Sequence, residues 1–588
     1  MLNVDPPEDG FLADVAAAEL QTPLPPPPPP APDPNDPKYV GDPDAYDRDV
    51  QIAAAATAAY TAAAQARGAA VAQVVSRWLT TAPYRLLQEL LDQPRDRMPI
   101  FKPAIGPVIV ARHEYALQCL LRTDLFTVDP YAAEMARATD DKAKRPDAFS
   151  HFMLGTDRDD LYRLDDVILR RVVARRDRDV LGALARKEAE HWIATVRDGG
   201  CGEIDVVPTL AKHVPLRIVG DYLGVPYQER GEPSPLPGLL GGDPIPLTAD
   251  LLQVFTFSQI TTGMVPTADD LYGWVKDAFR NTFNNFNPAH PSFPEFRRRG
   301  IVATEYLTVY IHALLRHYQE QLRLGRDVPD TMLTRLLRLQ KEVADGTCDS
   351  LEQDIAARLG GPVPAAEIAR RLSDSMIRSN VFGTVVGAVV NPQEATARIA
   401  DSMVRLADGE YEVRHGSTYR DAVRRARVEP GEPGYTESLR VLRRYALEAL
   451  RLQPQGEVLL RSCVQDNTAL GGVAIRRGTP VFVAFAAAMR DPEAVPRPLA
   501  FDVERDDLPA AYHADTERAG EEPQSGLYLQ HGYGRHKCLG RYASEITMAE
   551  SLRALLRLGR LERRSPLVMD ENGLYAVSLR LAFPGGSR

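Results

Sequence analysis

Cys538 is the residue of this chain best placed to do chemistry. It lies in HGYGRHKCLGRYASEITMAESLRALLRL, residues 531–558, after a glycine-punctuated loop and before a helical pattern. Leu539, Ala543, Ile546, Leu552, Leu555 and Leu556 keep helical spacing there. A cysteine at a helix N-terminus has its thiolate favoured by free backbone N–H groups and the helix dipole. Gly532, Gly534 and Gly540 let the backbone approach a bulky group and fold back closely. Arg535 and His536 add positive charge beside the sulfur. Together these features describe a thiolate prepared to bind a soft metal, with room for a flat partner. The bland alternative is a small buried cysteine near a helix start. A zinc site is disfavoured, because no second Cys/His pair has ligand spacing.

Composition removes several function classes. Lys+Arg 70 against Asp+Glu 80 gives a net charge of −10, which argues against a nucleic-acid binder with a basic face. The five cysteines (119, 201, 348, 463 and 538) are scattered without a CxxC. A disulfide framework is therefore not expected, and a reducing cytoplasm fits. No run of about 18 apolar residues exists, so no membrane span is expected. The start, MLNVDPPEDGFLADV, is acidic and lacks the basic and apolar regions of a secretory signal. The expectation is a soluble cytoplasmic protein.

The loop around Cys538 resembles the haem-binding loop of the cytochrome P-450 superfamily, whose pattern is Phe-Gly-x-Gly-x-His/Arg-x-Cys-x-Gly. Gly532, Gly534, His536, Cys538 and Gly540 match it, and His531 stands where the family has Phe. A polar ring there would alter the redox potential through contacts beside the thiolate. Three further pieces occur in the family's order. Glu448 and Arg451 in EALR resemble its Glu-x-x-Arg, and Arg505 in AFDVERDD resembles the meander arginine that joins them in a buried network. Residues 459–493 resemble the strand-turn-strand between these motifs, with Arg461 at a position that binds a haem propionate. Upstream, 110–128 resembles the family's first strand and helix. ILRRVV, 168–173, resembles more loosely the helix whose arginine contacts the other propionate, here Arg170 or Arg171. The resemblance implies haem b (iron protoporphyrin IX), held by Cys538 as axial ligand, in a mainly α fold with small β-sheets around the buried haem.

The elements that must carry these residues follow from composition and period. Residues 1–45, with PLPPPPPPAPDPNDP at 23–37, read as a disordered Pro-rich tail in extended polyproline conformation. Residues 46–92 read as an Ala-rich helical lead-in, and 93–588 as the catalytic domain. Short β runs are expected at VIVAR, VLLRSCV, GGVAI and TPVFVAF, and helices at about 436–452 and 539–558. A long apolar helical pattern runs over about 364–407, with Pro392 expected to bend it. Loops over the substrate pocket are expected within about 130–150 and 225–300.

That long helix departs from the family's usual proton-delivery device, an acid followed by Thr after Ala/Gly-Gly. It reads SNVFGTVVGAVVNPQEATARIAD, 379–401. With Gly387 as the motif glycine, acid and alcohol become Val389 and Val390; with Gly383 they become Val385 and Val386. A lower register supplies Glu394 but puts Ala395 in place of the alcohol. Helix length favours the first, and none gives an acid–Thr pair. Asn380, within NVFG, resembles the asparagine of family members that rearrange fatty-acid hydroperoxides, and Asn391 is a second candidate. The leading expectation is a haem-thiolate oxidoreductase that monooxygenates a hydrophobic small molecule or fatty-acyl substrate. Its electrons would come from a ferredoxin-type donor docking on Arg535, Lys537 and Arg541. The alternatives are a hydroperoxide isomerase, lyase or peroxide-driven hydroxylase that needs no redox partner, and a non-enzymatic haem sensor.

Overall fold

The longest apolar periodic segment becomes the spine of the molecule. In the computed structural model, which describes residues 10–39, 43–131, 152–200, 202–229, 265–285, 291–505 and 528–584, Asp374–Ala407 is a single helix. Its 34 residues span roughly 50 Å at the usual rise. Pro392 lies inside it and leaves the Ala388 carbonyl without its i+4 donor. Val381, Phe382, Val385, Val386, Val389 and Val390 enter one apolar cluster with Leu333, Leu336, Leu460 and Leu539. Helices Ala268–Phe283, Phe293–Arg323, Tyr435–Leu452 and Arg541–Leu556 pack around this spine. The ladder of strands is small. Val108–Val110 pairs parallel with Pro480–Val483, which pairs antiparallel with Leu459–Cys463, which in turn pairs antiparallel with Phe126–Thr127. The fold is mainly α with small sheets, as expected from the sequence.

The N-terminal reading needs correcting. Residues 1–45 are not a uniformly disordered tail, because Phe11–Gln21 is a helix docked on the body. Phe11 is buried edge-on to Trp78 at 6.0 Å and tilted against Phe101 at 5.1 Å. The Glu89 carboxylate accepts from the Phe11 and Leu12 N–H groups at 2.8 and 2.9 Å, satisfying free donors at the helix start. Asp14 accepts from the Trp78 indole at 2.7 Å. The proline run beyond it has no regular secondary structure. Composition missed the helix because its apolar partners sit more than sixty residues away in the chain. Helices Pro43–Thr81 and Pro83–Asp92 follow, and Trp78, Leu86 and Leu90 share a core with Phe101, Ile109 and Ala484.

Four cysteines, at 119, 348, 463 and 538, are free. Among the described residues no helix is long and apolar enough to cross a membrane. The expected pocket loops fall in large part outside the described residues, at 132–151, 230–264 and 286–290.

Candidate functional site

The cysteine loop closes on itself before its helix begins. The Cys538 N–H donates to the His531 carbonyl at 2.8 Å, and the Lys537 N–H to the Gly534 carbonyl at 3.1 Å. Gly532 and Gly534 hold φ of 71° and 64°, which side chains resist. A Cβ on Gly534 would also sit 3.2 Å from Leu121 Cδ2. Burial pushes the Cys538 thiol pKa up, while the Gly540 N–H, Arg541 and Arg170 pull it down. Gly540 precedes Arg541–Leu556, so the sulfur stands just outside a helix N-terminus.

Around the loop, several cationic groups leave donors unused. Arg461 is buried, gives one hydrogen bond to the Leu460 carbonyl at 2.9 Å, and leaves its Nε without a partner. His536 directs Nε2 at Asp157 Oδ1, 2.6 Å away, and its buried Nδ1 has no partner. Arg535 pairs with Asp159 at 2.6 Å and lies over the Tyr162 ring at 4.2 Å, and its Nε and Nη2 are unpaired. Burial pushes the pKa of both Arg461 and His536 down. A buried guanidinium without a carboxylate calls for an anion from elsewhere. These residues therefore fit the propionates of a haem whose iron Cys538 would hold. Arg170, paired with Asp166 at 2.7 Å, acts electrostatically on the Cys538 thiol. Arg171 does not belong here: it pairs with Asp354 and donates to Ser350 at 2.9 Å, on another helix.

The sequence reading offered Arg535, Lys537 and Arg541 as an exposed docking patch, and the structure does not build one. Lys537 and Arg541 are buried, and Arg535 is tied to Asp159 and Tyr162. His531 is buried and neutral, its pKa pushed down to about 3 by burial, with Nε2 3.5 Å from Glu545. Sequence reasoning missed Glu545, Asp157 and Tyr162. Only Asp157 and Tyr162 carried a signal, by opening the loosely matched arginine helix.

Glu448, Arg451 and Arg505 come together in the core. Glu448 accepts from Arg451 Nε and Nη2, both at 2.8 Å, and from Arg505 Nε at 3.1 Å. The remaining Arg451 donors reach the carbonyls of Met489, Pro498 and Ala500 at 3.2, 2.6 and 2.9 Å. Arg505 reaches those of Pro496, Arg497 and Ala500 at 2.8, 2.7 and 3.0 Å.

On the spine helix, one stripe stays partly open while its flanks are buried: Gly383, Thr384, Gly387, Ala388, Asn391 and Pro392. A Cβ on Gly387 would meet nothing within 4 Å. Asn391 lies on this stripe, and its amide donates to the Gly387 carbonyl at 3.4 Å. The other three candidates do not share it. Val389 and Val390 are packed in the core, where helical phase turns them away. Asn380 is buried beside Asp165, which a two-armed contact joins to Arg371. Thr384 spends its hydroxyl on the Asn380 carbonyl at 2.8 Å. Glu394 accepts from the Ala576 N–H at 2.7 Å, and burial pushes its pKa up to about 7.

A cysteine before a helix, a buried arginine with no carboxylate partner among the described residues and a helical spine are the features a haem-thiolate protein needs. The cytochrome P450 family model matches residues 434–577, which hold Glu448, Arg451, Arg461, Arg505 and Cys538. It is 32% identical over 145 residues to pulcherriminic acid synthase of Bacillus subtilis, 24% of this chain and 33% of that protein. It is 29% identical over 199 residues to a bifunctional dioxygenase (DOX)-epoxy alcohol synthase (EAS) of Pyricularia oryzae, 33% of this chain and 15% of that one. The matched stretches thus span a third or less of these relatives. The structure of cytochrome P450 CYP109Q5 from Chondromyces apiculatus superposes with a TM-score of 0.55 at 16% identity, covering 87% of this chain and 97% of that one.

Proposed function

We propose that this chain is a haem-thiolate enzyme that isomerises a hydroperoxide borne by an acyl lipid. One observation carries the reading. The open stripe of the spine helix presents a carboxamide, Asn391, and no acid–alcohol pair. When bound, haem supplies a thiolate-ligated iron suited to cleaving an oxygen–oxygen bond. A hydroperoxide substrate brings that bond with it, and rearrangement keeps every atom and electron within the substrate. No proton relay to dioxygen and no reductase are then required. The Asn391 amide, held among the described residues by a long bond to Gly387, is available to donate to one hydroperoxide oxygen and orient it. Gly383, Gly387, Ala388 and Pro392 leave the rest of the stripe without a charged group, and a Cβ on Gly387 would meet open space, which suits a hydrocarbon. The partial likeness to the Pyricularia oryzae epoxy alcohol synthase points the same way.

Monooxygenation with a ferredoxin-type electron donor is the second reading. Glu394 favours it, because a carboxyl with its pKa pushed up to about 7, one turn from Asn391, is a proton source at neutral pH. Turnover of the purified holoprotein separates the two. The first reading expects consumption of a fatty-acid hydroperoxide without added electrons, and an Asn391→Ala variant about a hundredfold lower in kcat. Product formed only with dioxygen and a reductase system would overturn it.

A further inference from the structure

The proline run after the docked N-terminal helix is tied to the body at both ends. At its start, Arg67 donates to the Thr22 carbonyl at 2.7 Å and to the Glu19 carbonyl at 3.0 Å. At its end, Asp49 accepts from the Tyr39 hydroxyl at 2.8 Å and from the Lys38 ammonium at 3.1 Å. Both anchors, Arg67 and Asp49, stand on the helix Pro43–Thr81. Residues 49 to 67 of that helix span about 27 Å at the usual rise. Residues 23–32, PLPPPPPPAP, span about 31 Å as a polyproline helix. The strand therefore has the length to lie alongside the helix, running against its direction. Burial agrees on both sides. Ala53 is buried and Ala56, Tyr60 and Ala63 are half-buried, at the spacing of one helix face. On the strand, Leu24, Pro25, Pro28 and Pro32 are half-buried, close to the three-residue turn of a polyproline helix.

The rest of the strand faces outward. Pro23, Pro26, Pro27, Pro29 and Pro30 are exposed. Large apolar side chains stand at both ends, with Leu20 80% exposed and Ile52, near the Asp49 anchor, 62% exposed. Exposed apolar surface of this extent marks a contact site. Its chemistry narrows what can dock. The six consecutive prolines, 25–30, carry no N–H, so they cannot complete a β-ladder with another strand. They offer ring faces and carbonyl oxygens, the complement of flat aromatic rings that also carry an N–H or O–H donor. Among the described residues, Asp33, Asp44 and Asp47 outnumber Arg48 in the exposed charge around the second anchor, and Lys38 is paired with Asp49. That balance suits a basic rim on the partner and disfavours a phosphate-bearing surface.

We propose that residues 23–32 are a docking strand for a folded partner domain whose groove is lined by aromatic rings with indole or phenol donors and edged by Lys or Arg. The partner grips the outward face, at Pro26 and Pro29, while the inward face, at Pro25 and Pro28, stays on the helix. Because both ends are tied, the strand is held in its bound shape in advance, and docking orders little new chain.

The experiment is calorimetric titration of the holoprotein with purified probe domains that read polyproline helices through aromatic grooves: an SH3, a WW and an EVH1 domain. At least one should bind with a Kd below about 100 µM. Pro26→Ala together with Pro29→Ala should weaken that binding about tenfold or more, whereas Pro25→Ala together with Pro28→Ala should change it by less than about threefold. Neither pair touches the residues assigned to haem, so haem content checks that each variant is folded. No saturable binding by any probe would overturn the proposal. Equal losses in the two pairs would overturn it too, by showing that docking does not use the outward face. Binding to a peptide of residues 20–39 but not to the holoprotein would do the same, by showing the strand covered by the body.

Discussion

Two clusters of buried arginine in this molecule are built on opposite principles. In the Glu448 network, all five Arg451 donors are used, two on Glu448 and three on backbone carbonyls. Around Cys538, Arg461 makes one hydrogen bond, to its neighbour's carbonyl, and leaves its Nε open. Burial alone would penalise both clusters alike. The difference lies in who supplies the partners. A closed network holds the chain to itself, while the open Arg461 donors are prepared for an anion that the described residues do not supply.

Substitutions that treat the two clusters alike should therefore give unlike results, and the largest effect belongs to the closed one. Glu448→Ala strands two buried guanidiniums, at a cost of about 3–5 kcal/mol. The expected outcome is insoluble or haem-free protein, read from expression and haem content. A soluble variant with full haem and an unchanged unfolding midpoint would erase the contrast. Arg461→Met removes a cation with no carboxylate partner among the described residues. The apoprotein should unfold at the same denaturant concentration or a higher one, while haem affinity falls about tenfold to a hundredfold. A loss of apoprotein stability comparable to that of Glu448→Ala would show that Arg461 is structural after all.

The smallest effect sharpens the comparison with a buried acid of intermediate kind. Glu394 has one hydrogen bond, from Ala576, and stands 4.0 Å from Arg398. Burial raises its pKa from 4.5 to about 7, so the folded state favours the protonated form. Its contribution to stability is fully present below about pH 4.5 and is lost as pH rises through about 7. Replacing it with Gln should flatten the pH dependence of the unfolding midpoint across that window, by on the order of 1–3 kcal/mol. An identical slope in wild type and Glu394→Gln would place the titration elsewhere.

Much of the site was legible because its signals are local. The loop from Gly532 to Gly540 carries its backbone requirements in its own residues, and Glu448 and Arg451 share a helix face at i, i+3. Arg505 was found by its order relative to these motifs, although its contact with Glu448 spans 57 positions. What failed was whatever depended on helical phase or on distant partners. Val389 and Val390 were chosen from sequence position, but the neighbours packed against the spine leave open the stripe that carries Asn391. Lys537 and Arg541 looked like surface charge, and tertiary packing buries both. The N-terminal segment looked unfoldable because the residues that bury Phe11, at Trp78 and Phe101, lie far along the chain.

The sequence by itself determined the cysteine proposed as iron ligand, the turn that presents it and the helix that follows, because glycine conformation and helical period act within a few residues. It also determined that a Glu-x-x-Arg pair exists to be buried. Only the tertiary structure decided which guanidiniums close on the chain and which stay open, and which stripe of the spine helix is left uncovered. Those outcomes depend on groups tens of positions or more apart, and a hydrogen bond is formed or forgone only when packing brings its two halves together.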